Sequence, residues 1–82
     1  MDKLIKMLNS CYKNEIPIIF GINQSGLTMY NNVIIEDLTI EDNSIKIFSD
    51  NLQLFINRNL PIIYDSEEDE YYVDDKICIC GG

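Results

Sequence analysis

The feature that most constrains this fold is a single change in apolar spacing near residue 14. Before it, apolar residues recur three and four positions apart, as on one face of an α-helix. The set comprises Leu4, Ile5, Met7, Leu8, Cys11 and Tyr12. Asp2 suits the N-cap position and Asn14 lies near the expected end. The spacing therefore predicts an amphipathic helix over residues 3–13.

After the helix, apolar residues form short β-branched runs or alternate with polar residues. Pro17 prevents the helix from continuing, and residues 17–22 suit a buried strand. A turn at residues 23–26 leads into a long strand over residues 27–41. We expect this strand to break near the pair Asn31-Asn32, because consecutive asparagines favour a turn or a bulge.

Three shorter alternating runs follow, at residues 38–40, 45–47 and 52–56, with brief polar turns between them. Alternating runs joined by short turns predict a meander of antiparallel hairpins. For the third run the alternative is a short helix over residues 51–58 with Asp50 as its N-cap.

The last quarter of the chain predicts one more hairpin. Residues 61–64 suit a strand, and an acidic tip follows within residues 65–75. Its turn is expected at residues 65–70, after which the chain returns through Tyr71-Tyr72-Val73 and alternating residues that end at Cys80. One helix followed by five or six antiparallel strands is an α+β architecture with a bent sheet or a small open barrel. We expect a single domain over residues 1–82, β-rich over residues 16–80.

The order of these elements resembles the Sm-like barrels of bacterial RNA chaperones over residues 3–64. The likeness rests on a first helix, a linking segment and a Ser25-Gly26 turn before a long strand. The linking segment is Asn14-Glu15-Ile16-Pro17-Ile18-Ile19. That resemblance implies a bent sheet, but it implies no RNA binding, because the family's Lys-His pair is replaced by residues 55–59, Phe-Ile-Asn-Arg-Asn.

The residue types present argue against catalysis. The chain has no histidine, so it has no imidazole base, no Ser-His or Cys-His nucleophile and no histidine metal ligand. Its four glycines do not form a phosphate-binding loop. Cys78 and Cys80 would share one face of a strand, and with Cys11 they are expected to act as small buried apolar residues. We predict no enzyme activity, no metal site and no cofactor.

Composition bears on origin and location. The chain is rich in Ile and Asn and lacks Ala, His and Trp, a pattern typical of AT-rich genomes and hence of a low-GC bacterium or its phage. It contains no apolar run long enough for a membrane helix, and no signal-peptide pattern. An odd number of cysteines favours reduced thiols. We expect a cytoplasmic protein, located in the host cytoplasm if a phage encodes it.

Negative charge is concentrated at the end of the chain. Of a net charge of −8, residues 61–82 carry −6. Residues 65–75, here called the acidic segment, contain seven carboxylates and two tyrosines. Clustered carboxylates repel nucleic acid and anionic membranes and attract basic surfaces, and tyrosines are common interface anchors. The predicted partner-binding residues are Asp65, Glu67, Glu68, Asp69, Glu70, Tyr71, Tyr72, Asp74 and Asp75.

The acidic segment, which opens Asp65-Ser66-Glu67-Glu68-Asp69-Glu70-Tyr71-Tyr72, resembles small acidic phage proteins that inhibit CRISPR nucleases or restriction enzymes as DNA mimics. The resemblance is one of composition and covers about a quarter of the chain. It implies a protein partner, namely a basic nucleic-acid-binding complex such as a CRISPR effector. The carboxylates would occupy its nucleic-acid channel, with Glu36, Asp37, Glu41 and Asp42 as further contributors.

Two other functions remain open. An assembly protein, or an immunity-type partner, would use an apolar sheet face, and salt would not weaken its binding. A carrier protein would use the final pair Gly81-Gly82, which resembles the end of ubiquitin-like and sulfur-carrier proteins. The helix at the start of the chain argues against that second family, whose fold begins with a strand hairpin. The acidic segment could also be a solubilising hairpin tip.

Overall fold

The computed structural model describes residues 2–24, 26–50 and 52–81. Within them the chain forms one helix followed by eight strands. The elements are α1 (Asp2–Lys13), β1 (Ile18–Gln24), β2 (Leu27–Val33), β3 (Asp37–Ile40), β4 (Ser44–Phe48), β5 (Gln53–Asn57), β6 (Ile62–Asp65), β7 (Glu70–Val73) and β8 (Ile77–Gly81).

The strands form two antiparallel sheets. The larger has five strands in the order β2-β1-β8-β7-β6, and the smaller has three in the order β3-β4-β5. All the strand pairs in the described residues are antiparallel, and the sheets stay open. The predicted α+β class and the first helix are confirmed. The chain has more strands than the five or six expected, because two predicted strands are each divided in two.

The first division lies beyond the predicted break. Asn31 and Asn32 continue β2 and pair with Phe20 and Ile19 of β1. Both asparagines are exposed, so their amides stay in water while the backbone remains in the ladder. The chain leaves the large sheet only after Val33, and residues 34–36 carry it across to the small sheet. The long strand therefore does break near the asparagine pair, but the pair itself forms neither a turn nor a bulge.

The run at residues 52–56 forms strand β5, so the alternative helix over residues 51–58 is wrong. Leu54 and Ile56 turn toward the core while Gln53, Phe55 and Asn57 face outward, a period of two that suits a strand. β5 pairs along its length with β4. Asn51, the expected start of the helix, lies outside the described residues, as does Ser25 of the predicted β1–β2 turn.

The second division falls inside the acidic segment. The predicted turn within residues 65–70 and the return through Tyr71-Tyr72-Val73 are confirmed, as a turn at residues 66–69 and strand β7. Residues 65–75 as a whole are not one tip, because a second turn at residues 74–76 separates β7 from β8. β7 forms because its alternate residues Tyr71 and Val73 are apolar and buried. The carboxylates are thereby divided between two turns at opposite ends of one strand.

The core lies between the two sheets, and α1 covers one end by contacting β3 of one sheet and β8 of the other. Leu4 and Leu8 of the helix are fully buried there, as are Ile18, Ile45, Ile47 and Ile79 of the strands. No buried side-chain nitrogen or oxygen in the described residues lacks a hydrogen-bond partner. The apolar spacing of α1 and the alternation of the strands therefore converge on the same core.

Candidate interaction surface

The hairpin turn between β6 and β7 holds the densest group of carboxylates. Asp65 and Glu70 pair across its base, and residues 66–69 form the loop. Asp65 Oδ1 accepts hydrogen bonds from the backbone N–H groups of Glu67, at 3.0 Å, and Glu68, at 3.4 Å. This Asx turn fixes the loop backbone, while the side chains of Glu67 and Glu68 remain exposed.

A tyrosine that the sequence did not single out positions Asp69. The hydroxyl of Tyr64 donates a hydrogen bond to Asp69 Oδ1 at 2.6 Å, which raises the pKa of Tyr64, with burial adding to the effect. Lys3 of α1 lies over the same ring, with its Nζ 4.1 Å from the ring centroid, a cation–π contact. The sequence signal for this contact was the position of Tyr64, which lies five residues before Asp69 on β6, the strand that leads into the turn.

The carboxylate of Glu70 is half-buried and accepts hydrogen bonds from neighbouring side chains, so it is not an exposed charge. Its Oε2 accepts a hydrogen bond from the Tyr72 hydroxyl at 2.6 Å and one from the Cys78 thiol at 3.2 Å. The hydrogen bond to Glu70 raises the pKa of Tyr72. Burial, followed by the bond to Glu70, raises the pKa of Cys78 to about 12. Glu70 thus joins two neighbouring strands on the outer face of the large sheet.

The two predicted tyrosine anchors have different environments. Tyr71 is only 7% exposed and packs in the core, its ring centroid 4.8 Å from that of Tyr64. Tyr72 is half-buried on the opposite face, beside Glu70. Because strand residues alternate between faces, two adjacent tyrosines cannot both face a partner. Tyr71 therefore supports the turn from inside and is not presented to solvent.

The second acidic turn lies at the far end of β7, so the length of this four-residue strand separates the two turns. At the usual rise per strand residue, that separation is about 13 Å. Asp74 and Asp75 both have left-handed backbones, with φ of 53° and 54°. Lys76 Nζ lies 3.7 Å from Asp74 Oδ2. Among the described residues, this is the one ion pair made by a carboxylate of the acidic segment. Asp75 is exposed.

The remaining predicted carboxylates lie on or beside the small sheet. Glu41 pairs with Lys46 at 2.7 Å, and Asp37 and Asp42 are exposed. Glu36 lies beside Asp50, and a hydrogen bond between their carboxyl groups raises the pKa of Glu36. These residues belong to a different sheet from the acidic segment.

The three thiols are not brought together. Cys11 of α1 lies on the core side of the large sheet against Gly81, where a Cβ added to the glycine would be 3.6 Å from the Cys11 Sγ. Cys78 lies on the opposite face of the sheet and points toward Glu70. Cys11 and Cys78 are buried and Cys80 is half-buried, and all three are free. In residues 2–24, 26–50 and 52–81, no three Cys, Asp or Glu side chains are placed to bind one metal ion.

Comparison with known proteins adds no relative: no protein-family model, curated protein or solved structure matches this chain. Gly81 belongs to β8 and pairs with Ile18, while Gly82 lies outside the described residues. Across the part of the chain that is described, no helix has the length and apolar character needed to cross a bilayer.

Proposed function

We propose that this protein binds and inhibits a bacterial nucleic-acid-processing defence complex, of the CRISPR or restriction type, by presenting carboxylates to a basic channel. The observation that carries the proposal is the turn over residues 65–70, where four carboxylates besides Glu70 crowd one end of a hairpin, those of Asp65, Glu67, Glu68 and Asp69. A surface of this kind attracts Lys- and Arg-lined grooves and competes with phosphates for them.

The turn is held in one conformation before any partner binds. Asp65 and Asp69 each use one carboxylate oxygen, Oδ1, in the hydrogen bonds that fix the loop, which leaves Oδ2 of each for a basic side chain. Glu67 and Glu68 make no side-chain hydrogen bond in the described residues. A pre-formed loop loses less conformational entropy on binding, so its charges contribute more to affinity.

Backbone geometry supports the same proposal. Asp69, Asp74 and Asp75 have φ of 54°, 53° and 54°. This left-handed region favours glycine and asparagine in turns. Aspartate tolerates the conformation better than most residues, but glycine would adopt it without strain. Carboxylates at all three positions add negative charge where an uncharged residue would suit the backbone as well or better.

A second candidate function is assembly or immunity-type binding through an apolar sheet face. The outer face of the small sheet carries Phe48 and Phe55, whose ring centroids are 5.9 Å apart in an edge-on arrangement. Phe55 is 61% exposed. An exposed aromatic ring supported by a half-buried one is a typical anchor at protein interfaces, and a partner bound there would be insensitive to salt.

The inhibition itself is tested with purified CRISPR effector nucleases and restriction enzymes cleaving target DNA. The test variant combines Glu67→Gln, Glu68→Gln and Asp69→Asn, which removes three charges and keeps the side-chain shapes. The matched control combines Asp2→Asn, Glu15→Gln and Asp50→Asn, three exposed carboxylates outside the acidic segment. The proposal expects the wild type and the control to inhibit one of these enzymes and the test variant to fail. Equal inhibition by all three proteins would refute it.

A further inference from the structure

The hairpin formed by β1 and β2 is the neutral part of an acidic chain. Between Glu15 and Glu36 the sequence contains no Asp, Glu, Lys or Arg, although charged residues make up 24% of the whole. β1 and β2 lie inside this stretch and form one side of the large sheet. The acidic turns belong to β6 and β7, on the other side of the same sheet.

β2 is an edge strand of the large sheet, and among the described residues only its end at residues 31–33 also lies beside residues outside that sheet, namely residues 49–50, Leu52 and Glu36. In the described residues it pairs with β1 alone. Six of its seven residues are exposed, including Leu27 at 73%, Met29 at 65% and Tyr30 at 61%. Natural proteins usually protect such an edge with charges, proline or a very short strand, because its free backbone groups can pair with another chain.

The other three edges of the two sheets are shorter, and those formed by β6 and β3 also contain a charged residue. β6 has four residues, follows Pro61 and ends at Asp65. β3 also has four residues, begins at Asp37 and is followed by Glu41. β5 has five residues and is followed at once by Arg58. β2 is longer than all of these and contains neither a charge nor a proline.

We propose that β2 pairs with β2 of a second copy of this chain, giving a two-fold dimer in which the two large sheets become continuous. In such a dimer the two β2 strands run antiparallel. Any register that pairs odd-numbered residues with odd-numbered ones, and even with even, keeps the core-side and outer faces of the strand separate. Leu27, Met29 and Val33 then meet their counterparts on the core-side face. Thr28, Tyr30 and Asn32 meet theirs on the outer face, where the Tyr30 ring covers Gly21.

The charge distribution favours a second copy as the occupant of this edge. A charged partner would find no opposite charge on β2, because the strand contains no charged residue. An identical strand presents the same apolar and amide side chains, which can pack and hydrogen-bond with those of β2. The acidic edge β6 is four strand spacings from β2, which is about 19 Å. In the dimer the two acidic edges are therefore roughly 40 Å apart, several times the screening length of about 8 Å at physiological salt. The neutral edges meet where repulsion between the copies is weakest.

Sedimentation velocity of the full chain between about 1 and 200 µM, a range that brackets micromolar dissociation constants, tests the dimer. The test variant is Met29→Lys, which puts two lysines face to face or diagonally opposed near the two-fold axis. The control is Ile63→Lys, a residue of similar exposure, 58%, on the opposite edge strand β6. Circular dichroism establishes that both variants fold as the wild type does.

The proposal expects the wild type and Ile63→Lys to dimerise with constants within about 3-fold of each other, and Met29→Lys to dimerise at least about 10-fold more weakly. Raising the salt to about 0.5 M should not weaken the dimer, because no opposite charges meet in it. A wild type that stays monomeric at the highest concentration would overturn the proposal. So would a dimer that survives Met29→Lys or is lost in Ile63→Lys.

Discussion

Glu70 differs from the other carboxylates of the acidic segment in what it contacts. One of its oxygens accepts hydrogen bonds from Tyr72 and Cys78, so this side chain holds strands β7 and β8 together. Glu67 and Glu68, in the turn just before it, face water. The sequence could not separate these roles, because a run of acids looks uniform until the hairpin register is known. The same register decides that Tyr72 faces outward and Tyr71 inward.

The Cys78 thiol should be unreactive in the folded protein. Burial and the hydrogen bond to Glu70 raise its pKa to about 12, so very little thiolate is present near neutral pH. We expect iodoacetamide to modify Cys78 at least about 100-fold more slowly in the folded protein than in denaturant. Peptide mass spectrometry would measure both rates. Glu70→Gln should speed the reaction, and a native rate close to the denatured one would contradict this account of the site.

At the scale of elements, alternation and turn residues located most strands, but not their boundaries or partners. Residues 45–47 and 52–56 were correctly predicted because each has a clean period of two ended by polar residues. β7 and β8 were predicted as one returning strand, because both alternate and the short turn at residues 74–76 between them contains no glycine or proline. The division into two sheets depends on the pairing of β8 with β1, which no local pattern encodes.

The turn between β7 and β8 should tolerate glycine better than aspartate. Asp75 has a φ of 54°, and in this region a Cβ is strained whereas glycine is not. Relief of that strain outweighs the greater backbone entropy of glycine, so Asp75→Gly should raise the free energy of unfolding by about 0.5 kcal/mol. Urea denaturation would measure the change, with Asp75→Asn as the control for the lost charge. Destabilisation by Asp75→Gly would show that the turn is not strained.

For the whole molecule, charge and shape divide the large sheet into two unlike sides. The β6–β7 side carries the acidic turns, and strands β1 and β2 contain no charged residue. Charge counting revealed the acidic region in the sequence, whereas the neutral stretch between Glu15 and Glu36 gained its meaning only once β2 was seen to be an edge strand. Their placement at opposite edges could not be predicted, because it follows from the order β2-β1-β8-β7-β6, in which the end of the chain is inserted beside its first strand.

The carboxyl pair Glu36 and Asp50 should make stability depend on pH. The hydrogen bond to Asp50 raises the pKa of Glu36 in the folded state above its ordinary value of 4.5. A carboxyl with a raised pKa contributes most below its unfolded pKa, and that contribution is lost as pH rises through the folded pKa. Asp50→Asn should therefore stabilise the protein at neutral pH and lose that advantage as the pH falls toward the ordinary pKa of Glu36. Urea denaturation at several pH values would measure it.

The control for that experiment is Asp42→Asn, which removes one exposed carboxylate elsewhere on the molecule. It should show a smaller gain at neutral pH, because the general repulsion of a chain with a net charge of −8 is shared among many groups. Equal gains for the two variants at every pH would mean that Glu36 and Asp50 do not interact as described.

We propose that the turn over residues 65–70 binds a basic partner through its charge. The most direct test is a pull-down from lysate of a low-GC bacterium with the tagged wild type, the Glu67→Gln, Glu68→Gln, Asp69→Asn variant and the matched control. Each is run at low salt and at about 0.5 M salt, where exposed charges are strongly screened. The account predicts a basic nuclease complex captured by wild type and control at low salt, and lost with the variant or at high salt. A partner retained by the variant at both salt concentrations would contradict it.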